Sequence, residues 1–137
     1  MAGAGGWSLV ELIMVMVMIG ILSVGVMIYS PGDDVELYNT ADTLIMDYRQ
    51  LQLLSMRNGG NYRFVRLSNS SYELQDSTGT PVEDATDIFP IQMSPFSNFT
   101  MDTMGVPDAP PPTITLADAS GNTVVLTIYS ETGSIFR

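Results

Sequence analysis

The amino-acid sequence predicts an α+β protein, with a long N-terminal helix, half membrane-spanning and half amphipathic, packed on an antiparallel β-sheet head. Three observations predict it. An uncharged apolar run extends from Leu12 to Tyr29. Behind it, apolar residues recur at three- and four-residue spacing through about residues 35–58. Short alternating segments, separated by turn formers, fill the remainder.

The run LIMVMVMIGILSVGVMIY would form roughly 27 Å of helix at ~1.5 Å per residue, close to the ~30 Å hydrocarbon thickness of a bilayer. It is longer than a secretory h-region, and no basic n-region precedes it. A membrane-spanning segment is therefore expected. Ser30-Pro31-Gly32-Asp33-Asp34 interrupts the pattern with Pro and Gly. Leu37, Ala41, Leu44, Tyr48 and Leu51, joined by Tyr38 and Ile45, then define one face of an amphipathic helix over about 35–58. Gly59-Gly60 are placed to end it, and packing against a sheet is the expected role of its stripe.

Tyr62-Arg63-Phe64-Val65-Arg66-Leu67 and Tyr72-Glu73-Leu74-Gln75 flank Ser68-Asn69-Ser70-Ser71 and read as a hairpin. Ile88 to Met93 and Phe99 to Asp102 read as further strands. Thr113 to Leu116 and Val124 to Tyr129 form a second hairpin through Asp118-Ala119-Ser120-Gly121-Asn122. Ser134-Ile135-Phe136 follows the Glu131-Thr132-Gly133 turn as a last short strand. Pro107 and Pro110-Pro111-Pro112 make a stiff connector.

Composition narrows the function classes. The net charge is −10 in 137 residues, with fifteen acids against five arginines. A nucleic-acid surface needs clustered cations, so no nucleic-acid partner is expected; docking on anionic lipid head groups is disfavoured likewise. With neither Cys nor His, the chain has no Ser-His-Asp triad, thiol nucleophile or zinc site of the usual kind. No enzyme, cofactor or metal is expected. Glu83, Asp84 and Asp87, and separately Asp118 to Asn122, could offer oxygens to calcium. Solvated loop acids and turn chemistry account for both groups without a metal. The tripeptides Asn69-Ser70-Ser71 and Asn98-Phe99-Thr100 match the N-glycosylation pattern, which arises often by chance.

Glu11 stands apart. A carboxylate at the head of an apolar helix is costly in lipid, so it points to a functional site with a partner; an acid complementing the helix dipole is the alternative. The segment Gly6-Trp7-Ser8-Leu9-Val10-Glu11-Leu12 resembles the processing site of type IV pilin-like proteins, the prepilins and pseudopilins with a class III signal peptide. The resemblance implies a leader over 1–6, cleavage by a prepilin peptidase between Gly6 and Trp7, and N-methylation of Trp7. It also implies a transmembrane and filament-core helix over 7–30 and a periplasmic globular domain over 31–137. Glu11 would then pair with the N-terminal amine of a neighbouring subunit and set assembly register. Phe99 to Gly105-Val106-Pro107, and Thr132-Gly133-Ser134, echo segments of similar pseudopilins. Many major pilins carry a proline in the second part of the apolar helix. None occurs here before Pro31, which favours a minor subunit.

The expected function is thus a minor pilin or pseudopilin of a type IV pilus (fimbrium) or a type II protein secretion filament. Its partners would be other pilin or pseudopilin subunits, the prepilin peptidase, the inner membrane and its assembly platform. It would sit in the bacterial inner membrane with its head in the periplasm before joining the pilus or pseudopilus. The alternatives are a major fibre-forming pilin and an anchored periplasmic binding domain that is not assembled.

Overall fold

Apolar side chains dominate helix α1, Leu9–Ile28, in the computed structural model, which describes residues 9–28 and 33–137. Two units make up the chain, Met1–Pro31 and Gly32–Arg137. Where one long helix was expected, two are observed. The second, α2, spans Asp33–Asn58; residues 29–32, which include Ser30-Pro31-Gly32 of the expected break, lie outside the described residues.

In the second unit, α2 buries Leu37, Ala41, Leu44, Tyr48, Leu51 and Ser55. Their alternating four- and three-residue steps keep one face turned inward. The helix ends where the sequence supplies glycine. Gly59 and Gly60 take left-handed φ of 86° and 88°, and the Gly60 amide donates to the Ser55 carbonyl at 2.8 Å. This is the six-to-one bond of a Schellman cap. A Cβ on Gly60 would lie 2.9 Å from the Thr103 backbone nitrogen, so the position excludes a side chain as well as favouring the backbone angle.

The eight strands are β1 (Tyr62–Arg66), β2 (Ser71–Gln75), β3 (Thr86–Asp87), β4 (Gln92–Met93), β5 (Phe99–Met101), β6 (Thr113–Ala117), β7 (Thr123–Ile128) and β8 (Ile135–Phe136). They form two four-stranded sheets, ordered β3-β2-β1-β5 and β4-β6-β7-β8, with every pairing antiparallel. The single sheet expected from sequence is therefore corrected to two. So is the expected strand from Ile88 to Met93: β3 joins the first sheet, β4 the second, and the residues between them turn. Pro90 has no N–H to give a ladder, its peptide bond to Phe89 is cis, and the Ile91 amide closes a turn on the Ile88 carbonyl at 2.8 Å. The chain changes sheets at this point.

Alternation of buried and open positions in β2, β6 and β7 turns one face of each sheet inward. Helix α2 touches β1 and β5 of the first sheet and β6, β7 and β8 of the second, so one helix face roofs both. Phe64 anchors the core beneath. It stacks on Tyr72 at 4.9 Å and on Phe99 at 5.4 Å between centroids, offset-stacking distances at which aromatic pairs contribute beyond area burial.

Three loops repeat one device. Asp76, Asp102 and Asp118 each begin a segment Asp-x-x-Gly-x, and each aspartate amide donates to the carbonyl four residues on, at 2.8, 2.9 and 3.1 Å. The glycines Gly79, Gly105 and Gly121 adopt φ of 85°, 74° and 88°, the left-handed position of a three-residue hairpin loop. Each aspartate Oδ1 accepts the amide of the fifth residue, from Thr80, Val106 and Asn122 at 2.9, 2.8 and 2.8 Å. A carboxylate at the first position thus satisfies amides that the tight loop strips of ladder partners.

Candidate functional site

Two regions carry features beyond ordinary packing, and the first is α1. Glu11 lies in its first turn and is exposed. Gly6 and Trp7, the expected processing residues, lie outside the described residues. From Leu9 to Ile19 every large apolar side chain is exposed, from 41% at Val15 to 73% at Leu9. A helix that is apolar on all sides is covered by something in its working state. Among the described residues, no helix is long and apolar enough to cross a membrane. The expected membrane-spanning helix over 7–30 includes residues 7, 8, 29 and 30, which lie outside the described residues.

The second region lies on the C-terminal half of α2. Gln52 Nε2 donates to the carbonyls of Gly105 and Gly133, both at 2.8 Å. One turn earlier the Tyr48 hydroxyl donates to the same Gly133 carbonyl at 3.0 Å. One turn later Ser55 Oγ reaches the carbonyls of Met101 and Asp102 at 3.1 and 2.7 Å. Residues at 48, 52 and 55 share a helix face, so three polar side chains clasp the loop after β5 and the turn before β8. Those loops belong to different sheets. The clasp is close: a Cβ on Gly133 would stand 2.8 Å from both Gln52 Nε2 and the Gly105 carbonyl oxygen. The two glycine-bearing echoes singled out in the sequence, around Gly105 and Gly133, therefore meet on one helix.

The titratable groups show structural causes for their shifts. Burial pushes the Tyr72 hydroxyl well above the usual tyrosine range, and its 2.6 Å hydrogen bond to Asp47 acts in the same direction. Tyr48 is raised by burial alone. Asp76 is held low by the Thr78 hydroxyl and the Thr80 amide. At Asp118 burial acts upward, but the side-chain and backbone donors of Asn122, with the Ser120 and Gly121 amides, together outweigh it and the carboxyl is lowered. Both low acids are explained by the loops they close, with no ligand required.

Among the described residues, no group of three or more acids is placed to hold a metal ion. Glu83 is engaged by Gln50 at 2.9 Å, and Asp118 Oδ2 accepts Asn122 Nδ2 at 2.8 Å. One cleft, lined by Pro112, Thr127, Tyr129 and Glu131 among others, contains a single carboxylate. Another, between Phe89-Pro90 and Ala117-Asp118-Ala119, contains only the carboxylate already committed to its loop. Neither brings two carboxylates together.

The clasp residues Tyr48, Gln52 and Ser55 were not anticipated as polar ties. The tyrosine reads as part of the apolar stripe, and Gln52 and Ser55 carry no motif. Of the two loops they hold, the Asp-x-x-Gly-x pattern could have located the one at Asp102 to Val106, whereas the turn at Gly133 does not carry it. Compared with known proteins, the sequence matches no protein-family model, no curated protein and no solved structure.

Proposed function

We propose that this chain is a filament subunit, a minor pilin or pseudopilin of a type IV pilus or type II secretion filament, assembled through its N-terminal helix. The observation that carries the reading is α1, which exposes its apolar side chains from Leu9 to Ile19 and bears one acid, Glu11. Lipid can cover such a helix before assembly, and the helices of neighbouring subunits can cover it afterwards. Glu11 is tolerated there by pairing with the N-terminal amine of an adjacent subunit, because breaking a buried pair leaves an uncompensated charge costing ~3–5 kcal/mol. The clasp supports the same reading. It binds the glycine segments that resemble pseudopilin sequence into a rigid head, and a subunit pulled from the membrane by its helix needs a head that stays folded.

Mass spectrometry of the protein from its native host tests the processing step. A mature chain beginning at methylated Trp7 is expected; an intact Met1, or a cut after Tyr29, overturns the reading in favour of an anchored, unassembled domain. In the Glu11→Ala variant the head should remain folded and the helix should still enter the membrane. Incorporation into filaments should drop roughly tenfold or more, given the cost of the orphaned amine. Wild-type incorporation would remove the role assigned to Glu11.

A further inference from the structure

The outward face of α2 carries a second, independent stripe. Val35, Asn39, Asp42, Met46, Arg49, Leu53 and Met56 follow one another at steps of four and three, and all are exposed. The apolar members are exposed by 51% at Val35, 68% at Met46, 65% at Leu53 and 48% at Met56. A four-three repeat is the seam of a coiled coil, so the surface that fits it is another helix.

The charges on this seam identify which helix. Counting outward from Met46, Asp42 on one side matches Arg49 on the other, Asn39 matches Leu53, and Val35 matches Met56. The mismatch is at most one residue, or ~1.5 Å along the axis. The row flanking the seam shows the same symmetry, with Glu36 and Arg57 at mirrored positions and Thr43 opposite Gln50. An antiparallel second copy of α2 therefore places acid against arginine at both charged levels, each twice by two-fold symmetry, with Met46 meeting Met46 at the axis. A parallel copy in register would place Arg49 on Arg49 and Asp42 on Asp42, which is repulsive. Among the described residues Arg49 and Arg57 have no carboxylate within ion-pair distance. Asp42 is held at Oδ1 by Arg137 at 3.1 Å, leaving its second oxygen as an acceptor.

We infer that the outward seam of α2 is a self-complementary dimer face, pairing two copies of this chain antiparallel about Met46. The pairing turns the two Asp33 ends in opposite directions, so it is a state of subunits outside a filament, and it stands independently of the filament reading.

Cysteine cross-linking decides it, helped by the absence of native cysteine. The full chain in detergent micelles is oxidised as Met46→Cys or as Leu53→Cys, with dimer read on a non-reducing gel. The antiparallel seam predicts efficient cross-linking at 46 and at least fivefold less at 53, where the mirrored residue is Asn39. In the Met46→Cys background, Arg57→Glu should reduce cross-linking severalfold, and Glu36→Arg added to Arg57→Glu should restore it. Equal cross-linking at 46 and 53 means a parallel or non-specific contact and overturns the inference. Absence of cross-linking at 46, or failure of the paired exchange to rescue it, does so equally.

Discussion

Replacing Gly133 by alanine tests whether the helix clasp holds the two sheets together. Gly133 sits at φ 67°, where a Cβ costs roughly 1–2 kcal/mol from backbone sterics alone. Its added methyl would also stand 2.8 Å from Gln52 Nε2 and from the Gly105 carbonyl oxygen, and 3.2 Å from Pro107 Cδ. The glutamine can swing aside, but it then abandons both its hydrogen bonds, at ~1 kcal/mol each, and strips the Gly105 carbonyl of the amide it accepts. The summed loss is about 3–5 kcal/mol, a large share of a typical domain stability of ~5–15 kcal/mol. Gly121→Ala is the matched control. Its φ is 88°, yet nothing lies within 4 Å of its Cβ direction, so it incurs only the backbone term. Urea unfolding of the two variants in detergent, followed by far-UV circular dichroism, should separate them by ~2 kcal/mol or more. Equal destabilisation, within ~0.5 kcal/mol, would show that the close approach at Gly133 carries no energy and that the clasp is incidental.

Two further predictions concern the head. Tyr48 and Tyr72 are both raised by burial, so the folded state resists their ionisation. Their stabilising effect is complete below the unfolded pKa of ~10 and declines as pH rises above it, by up to ~1.4 kcal/mol per pH unit for each tyrosine. Alkaline unfolding should thus steepen above about pH 10, and Tyr72→Phe should flatten it; an unchanged slope in that variant would refute the assignment. Asp102 Oδ1 accepts the amides of Met104 and Val106, each at 2.8 Å. Asp102→Ala should therefore cost ~1–2 kcal/mol in thermal or urea unfolding while Asp102→Asn, which keeps the acceptor, costs less. Similar losses in the two variants would mean that the turn does not depend on that oxygen.

Much of this architecture is legible in the sequence because it follows from local periodicity. The four-three spacing of Leu37, Ala41, Leu44, Tyr48 and Leu51 specifies a helix face, and Gly59-Gly60 specifies its end. Six of the strands lie at or within a residue or two of where alternation and turn chemistry place them. The apolar run and Glu11 are equally local, and the filament proposal starts from them.

Tertiary structure decided what depends on contacts between distant segments. Alternation tells a strand's two faces apart but not which sheet it joins, so the division into two sheets, with Pro90 at the crossing, appears only in three dimensions. The clasp is hidden for the same reason. Gln52 is separated from Gly105 by 53 residues and from Gly133 by 81, and no local pattern records a hydrogen bond to a backbone carbonyl. The sequence by itself determined a two-faced helix, a set of strands and an apolar helix bearing one acid. The folded head decided which glycines may carry no side chain, because there the limit is set by neighbours rather than by φ alone.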